Sequence, residues 1–411
     1  FELDPTLLPP ESEVDWGFAL DIGTTTLAAT LWNGKPARCL ATASATNPQI
    51  SYGDNVVSRI QLTIERTDGD ALLHKVLVEE GIRPLLETLC KQAGLAPESL
   101  TCGTVTGNPA MLHTLAGETL QGLATYPFRP VFLEGKTLPG SCLGLAPKVP
   151  IRLLRSLGPF VGSDLSAGAL ASGFFDREGP ELLIDFGTNG EILLQANGKT
   201  TCTATAAGPA FEGGRLSHGA SAGAGVISGL RSYQDGRFEI IGSGEPYHGM
   251  AGAAYVDVLA LGRAADLIGE TGRFVEKVPL QPIHGVTVSE ADVAELLQAK
   301  AAIQGGWTTL LELAGIEMQD LKRVIIAGGF GYHLNPAHAI AIGLLPDIPI
   351  DRIRAVGNAS LAGACLGLLA PEVAKRLDPL CADARYIELN QIPEFEDHYI
   401  DAMTLIPAES D

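Results

Sequence analysis

Hydrophobic positions along the chain fall into short apolar runs that stop at glycine turns, separated by longer stretches of helical spacing. Trp16-Gly-Phe-Ala-Leu-Asp21 is such a run and ends in an Asp-Ile-Gly turn, and β-rich apolar residues resume over 26–32. The pattern predicts a strand, a tight turn and a returning strand. Two helical patterns follow, over 54–64 and 71–95. Thr104-Val-Thr106 is a brief strand broken by Gly107-Asn108-Pro109, where Asn108 is placed to cap a helix with Pro109 at its first position. Leu182-Leu-Ile-Asp185 is another strand, Phe186-Gly-Thr-Asn-Gly190 its turn, and Glu191-Ile-Leu-Leu-Gln195 its return. Leu-Asp21-Ile-Gly23-Thr24 and Ile-Asp185-Phe-Gly187-Thr188 are thus one phrase used twice. Two such matches, far apart and each at a strand-to-strand turn, predict a duplicated α/β domain. Ser289-Glu-Ala-Asp292 opens a later helix in capping-box style, and Arg323-Val-Ile-Ile-Ala327 is a buried-type strand running into Gly328-Gly-Phe-Gly331. Val356-Gly357-Asn358-Ala-Ser360 leads into a small-residue helix ending near Ala370.

Length and charge narrow the function. The 411 residues suggest two or three domains with room for a substantial core. Lys and Arg number 28 against 48 Asp and Glu, for a net charge of -20. That balance excludes a nucleic-acid partner and a polybasic membrane contact, both of which need a basic face. An anionic ligand would have to be bound by glycine amides and Mg²⁺ instead of a lysine cluster. No apolar stretch is long enough to span a membrane. Residues 1–13 are acidic and Pro-rich, unlike a signal peptide, and the absence of an initiating Met suggests a fragment of something longer. The seven cysteines are scattered with no C-x-x-C pair, which suits reduced thiols in a cytoplasmic protein and offers neither a zinc nor an iron–sulfur set.

Several motifs fall short. Gly135-Lys136-Thr137 and Gly198-Lys199-Thr200 lack the upstream glycine of a P-loop and read as surface turns. Gly219-Ala-Ser221-Ala-Gly223 matches the spacing of a nucleophile elbow but lacks the apolar strand that must lead into one. No G-x-G-x-x-G follows a clear strand, and His333 and His338 read as capping or packing residues. The two Asp-x-Gly-Thr turns carry more. A phosphate chain lying across a tight hairpin needs glycine for close backbone approach, and Thr24, Thr25 and Thr26 add hydroxyl donors. A strand-end carboxylate can hold the waters of Mg²⁺, which suits Asp21 and Asp185. The alternative is that each Asp closes an Asx turn; the pair together favours phosphate. Ala327-Gly328-Gly329-Phe330-Gly331 offers a flat backbone for adenine or ribose, or simply a bend between elements.

This ordered set resembles the nucleotide-binding superfamily of acetate and sugar kinases, heat-shock 70 chaperones and actin. Within it the chain is most similar to the reductive activators of corrinoid-dependent proteins, ASKHA-type proteins with an N-terminal ferredoxin domain. The resemblance rests on Tyr52-Gly53-Asp54 through Ser58-Arg59-Ile60, Thr106-Gly107-Asn108-Pro-Ala-Met111-Leu-His113, Gly162-Ser-Asp164, and Asp185 through Glu191. It continues in Gly208-Pro209-Ala210-Phe211-Glu212-Gly213, Gln298-Ala-Lys300-Ala301 and the tail from Ile387 to Met403, covering nearly all the chain from about Trp16. The chain departs from the family where Tyr247-His-Gly249 and Gly219-Ala-Ser221 stand.

The resemblance implies a duplicated ribonuclease-H-like, two-lobed α/β fold with a central nucleotide cleft. Its divisions would be a linker remnant 1–14, lobes 15–178 and 179–355, and a C-terminal helix and tail 356–411 packing back on them. It implies an ATPase that helps restore cob(I)alamin from cob(II)alamin on a corrinoid protein. The electron would come through a [2Fe–2S] ferredoxin domain that this sequence does not include, and the protein would be a homodimer. Asp21 and Asp185 are then the Mg²⁺ residues. Gly23, Thr24, Thr25, Thr26, Gly187, Thr188, Asn189 and Gly190 cradle phosphates, and Gly328, Gly329 and Phe330 line the adenosine side. Glu191 is placed to orient the attacking water, or is a solvated strand residue. Lys300 is a ribose or phosphate contact, or faces solvent. Asp164 is a further acid or a helix cap. A small-molecule kinase and a nucleotide-gated switch are the competing readings.

Overall fold

A computed structural model of the chain describes residues 9, 11–176, 179–187, 189–221 and 223–408. It divides into two compact units, one made of residues 1–177 and 358–386 and the other of 178–357 and 387–411. Thr188, expected among the phosphate residues, lies outside the described residues, as do 1–8 and 10 of the expected linker. Ser12 and Val14, in that same segment, bond to Gly34: the Ser12 amide donates to its carbonyl and the Val14 carbonyl accepts from its amide.

In the first unit the apolar runs become β1 (Gly17–Ile22), β2 (Thr26–Gly34), β3 (Ala37–Thr46), β4 (Cys102–Gly107), β5 (Lys136–Pro139) and β6 (Pro150–Leu153). They form one sheet in the order β3-β2-β1-β4-β6-β5. β1 runs antiparallel to β2 and parallel to β4, so Asp21 stands opposite Ala28 on one side and Thr106 on the other. The helices are α1 (Val56–Glu65), α2 (Gly69–Lys75), α3 (Arg83–Ala93), α4 (Pro109–Ala116) and α5 (Ser163–Ala171). Asn108 caps α4 by accepting from the Met111 amide, with Pro109 at the first helical position. The periodic pattern over 71–95 is not one regular helix. Between α2 and α3 the chain is π-helical over Val76–Ile82, and the Arg83 amide reaches back five residues to the Val78 carbonyl. Within that stretch lies Gly81, where an added Cβ would sit 2.9 Å from Leu27. The apolar spacing survives a wider turn, which is why periodicity alone does not reveal it.

In the second unit β7 (Glu181–Phe186), β8 (Gly190–Ala196) and β9 (Lys199–Thr205) are again an antiparallel meander. A small sheet of β10 (Val226–Gln234), β11 (Arg237–Ser243) and β12 (Gly249–Met250) follows, then the hairpin β13 (Leu280–Ile283) and β14 (Val286–Val288). β15 (Arg323–Ala327) and β16 (Ile353–Gly357) join the main sheet, in which the strands of this unit run in the order β16-β15-β7-β8-β9. Three antiparallel strands followed outward from the first strand by parallel ones is the same walk as β3-β2-β1-β4-β6. The phrase duplicated in the sequence is therefore duplicated in topology. α6 (Gly252–Ala264) and α7 (Glu290–Ala314) cover this sheet; Ser289 opens α7 through a reciprocal capping box with Asp292. α8 (Gly329–His333) and α9 (Pro336–Ala341) follow β15. α10 (Ala359–Leu369) belongs to the first unit, where Leu361, Ala364 and Cys365 pack on Ala19 and Trp32, beneath β1. Among the described residues no helix is long and apolar enough to cross a membrane.

Candidate phosphate-binding hairpins

In the first unit the turn between β1 and β2 is closed by the Gly23 amide, which donates to the Thr26 carbonyl at 3.0 Å. Glycine is required there because a Cβ would approach that same carbonyl to 2.6 Å. Thr24 is buried and its hydroxyl accepts from Asn108 Nδ2 at 3.0 Å, whereas Thr26 is exposed. Asp21 is the penultimate residue of β1 and is partly buried. Its carboxylate accepts from Ser360 Oγ at 2.8 Å and Asn358 Nδ2 at 3.1 Å. Burial pushes its carboxyl above the usual range, and bonds from Ser360, Asn358 and Thr106 partly offset the rise. Asp164, in the first turn of α5, is likewise raised, to about 7, by burial and then by the charge of Asp21. Its Oδ1 accepts from the Leu165 amide at 2.9 Å. Two carboxyl groups that repel ionisation in one place, with no Lys or Arg among the described residues bonded to either, form a pocket of chemistry suited to a divalent cation or to a shared proton.

The second unit repeats the design with different details. The Gly187 amide donates to the Asn189 carbonyl at 3.1 Å, closing the turn between β7 and β8. Asp185 stands opposite Glu191 on the antiparallel side and Ala327 on the parallel side. Directly opposed residues share a face of the sheet, so the two carboxylates are near neighbours. Glu191 is buried, 8% exposed, and is not a solvated strand residue. The parallel pairing also delivers the Gly328-Gly329 turn to Asp185. Gly328 has φ +88, and a Cβ on it would lie 2.5 Å from the Phe186 carbonyl and 2.8 Å from Asp185 Oδ1.

Other expected site residues are placed differently. Gly190 is glycine for packing, since a Cβ there would run into the Ile303 side chain from α7. Phe330 is buried and packs against Phe186 and Phe211, at 5.2 and 4.9 Å between ring centroids. Lys300 neither faces solvent nor reaches toward Gly328: it is 1% exposed, and Nζ donates to the Ala402 and Thr404 carbonyls at 2.9 and 2.7 Å. His338 bonds to Asp257 at 2.6 Å, a packing role. Ser221 lies in a loop, not at a strand-to-helix elbow. Sequence reasoning missed Asn358 and Ser360 as the partners of Asp21, although Val-Gly-Asn-Ala-Ser at the end of a strand marks a place where polar groups gather. Among the described residues no group of three or more His, Cys, Asp or Glu converges as a metal set, so a cation would rest on one or two carboxylates, as Mg²⁺ typically does.

The Gly-Gly turn is open to a direct test. Gly328→Ala is expected to cost about 2 kcal/mol or more, through a left-handed backbone and the clash with the Phe186 carbonyl. Gly329→Ala, where a Cβ meets nothing within 4 Å and φ is not positive, is expected to leave thermal stability unchanged. Equal melting temperatures for the two variants would contradict this account of the turn.

Comparison with known proteins places this architecture. Residues 179–411 match the family described as the C-terminal domain of RACo, the ASKHA domain, and residues 16–177 match the RACo middle region. The duplicated sheet is thus of the ASKHA class. The chain belongs to the RACo family. It is 30% identical to the corrinoid activation enzyme RamQ of Eubacterium limosum, over 94% of this chain and 69% of that protein. It is 26% identical to the [Co(II) methylated amine-specific corrinoid protein] reductase of Methanosarcina barkeri, over 84% of this chain and 68% of that one. A solved structure of a reductive activator for corrinoid,iron-sulfur protein superposes with a TM-score of 0.87 at 31% identity, covering 97% of this chain and 67% of the other.

Proposed function

We propose that this chain binds and hydrolyses ATP with Mg²⁺ in order to drive the reductive reactivation of a corrinoid protein. The cobalt would pass from cob(II)alamin to cob(I)alamin by uptake of one electron. That electron would arrive through a [2Fe–2S] ferredoxin domain outside this sequence. The observation that carries the reading is likeness along almost the whole chain to proteins named for corrinoid activation. The paired Asp hairpins support its ATP-dependent part. In this reading Asp185 holds hydration waters of the cation, Glu191 beside it orients water, and Gly328-Gly329 receives the adenosine side. In the first unit Asp21 is the corresponding cation residue, and Gly23 to Thr26 the corresponding phosphate turn. The donor set fits Mg²⁺: oxygen ligands only, few carboxylates, and neighbouring hydroxyl and amide groups to bond its waters. When bound, the ion would neutralise charge developing on the transferred phosphate.

Cob(II)alamin reduction is unfavourable with ordinary donors, so the activator has to bind one cobalt state more tightly than the other. ATP can shift that equilibrium only through its own differential affinity for the two protein states. Phosphate release by the chain is therefore expected to rise when a cob(II)alamin-loaded corrinoid protein is added, and to stay at the basal rate with the cob(I)alamin form. Turnover that instead depends on a small hydroxylated acceptor would identify a kinase. ATP binding with no response to either partner would identify a nucleotide-gated switch.

A further inference from the structure

The Tyr52-to-Ile60 motif singled out in the sequence has no place in the chemistry above, yet it contains the most thoroughly buried cation among the described residues of the first unit. Arg59 is 0% exposed. Its Nη2 donates to the Thr24 carbonyl at 2.6 Å, Nε to the Gly53 carbonyl at 2.9 Å, and Nη1 to Gln49 Oε1 at 3.2 Å. Nη1 also lies 3.4 Å from Met111 Sδ. All four acceptors are neutral. Among the described residues Arg59 makes no ion pair, and Asp54 acts on it only at longer range. Gly53 lets the side chain through: a Cβ there would come within 3.0 Å of Arg59 Cγ.

A buried guanidinium held only by dipoles is costly and is retained where it accomplishes something. Here it acts on one peptide of the hairpin. Asn47 acts on the two peptides flanking it: Nδ2 donates to the Gly23 carbonyl at 2.9 Å, and its amide to the Thr25 carbonyl at 2.8 Å. Three successive carbonyls, Gly23, Thr24 and Thr25, are thus drawn to one side of the turn. In a trans peptide the N–H points opposite to the C=O. Fixing the Gly23 and Thr24 carbonyls therefore aims the Thr24 and Thr25 amides the other way. The result is a row of donors with a full positive charge behind it, the arrangement that attracts an oligophosphate.

We propose that Arg59, assisted by Asn47, is a positioning residue for this turn: it locks the hairpin amides toward a polyphosphate and lends them its buried charge. The proposal rests on the ATP reading above and extends it to residues that touch no ligand. A merely structural Arg59 would alter stability alone. A positioning Arg59 makes affinity depend on the number of phosphates.

The experiment is calorimetric titration of ATP and AMP, each with Mg²⁺, into the wild-type chain and into Arg59→Met, Arg59→Lys and Asn47→Ala, with melting curves on the same samples. Arg59→Met is expected to weaken ATP about tenfold or more, the scale of one lost charge-assisted bond, and to leave AMP nearly unchanged. Arg59→Lys keeps the charge without the planar fork and is expected to recover part of the loss. If Arg59→Met does not fold, Arg59→Lys and Asn47→Ala carry the test, each with a several-fold loss confined to ATP. Folded variants that bind ATP like the wild type, or lose ATP and AMP affinity in equal proportion, would overturn the proposal. A wild-type chain that binds no ATP would overturn the parent reading and this one with it.

Discussion

Asp185→Asn is expected to reduce Mg²⁺-dependent ATP hydrolysis by about a hundred- to a thousandfold while leaving the melting temperature close to that of the wild type. The size follows from removing a charge that acts on the transferring phosphate where water is scarce; single groups of that kind are worth about this much. Asparagine keeps the shape and the acceptor oxygen, so β7, its turn and the contact with Gly328 should survive. Two companion measurements locate the loss. Nucleotide affinity without Mg²⁺ should change little, because the carboxylate serves the cation and not the base. Glu191→Gln, altering the residue paired directly opposite, should lower turnover with ATP affinity intact, the pattern of an interaction made in the transition state. Wild-type turnover in Asp185→Asn would mean that this carboxylate only closes its turn, and the phosphate reading of the hairpin would fall.

The parts of this site that were legible in the sequence are those whose cause is local. Asp21 and Asp185 announce themselves because a strand, a carboxylate and a glycine turn occupy consecutive positions, and because the phrase is repeated. The capping box at Ser289 and the cap at Asn108 are equally local. What was not legible depends on segments that meet only after folding. Ser360 and Asn358 reach Asp21 across 339 and 337 residues of chain, and no spacing rule connects them. Arg59 reads as an ordinary basic residue on an amphipathic helix until Gln49, Gly53 and Thr24 close around it. Gly190 sits in a turn that favours glycine for a phosphate, yet it is glycine because Ile303 needs the space. The helical period over 71–95 was visible, whereas the π-helical widening within it was not, since a wider turn keeps much the same apolar face.

Lys300 shows the same limit most sharply, and it makes a prediction about stability. On α7 it has the sequence context of a surface lysine. It is buried because a segment about a hundred residues later, from Ala402 to Thr404, folds over it and accepts both its bonds. Loss of solvent lowers its ammonium from 10.5 to about 7. Between those values the unfolded chain carries a proton that the folded chain does not, so folding becomes more favourable as pH rises through that window. Below about 7 both states are charged and the dependence disappears. The unfolding free energy of the wild type minus that of Lys300→Met should therefore climb with pH from about 7 toward 10, at up to about 1.4 kcal/mol per unit. Taking the difference cancels the other titrating groups. At the top of the window the wild type should lead by several kcal/mol, since the variant also leaves the Ala402 and Thr404 carbonyls without their donor. Urea denaturation at pH 7, 8 and 9 measures the slope. A flat difference would mean that the folded protein keeps Lys300 charged throughout, with the two carbonyls holding an ammonium instead of an amine.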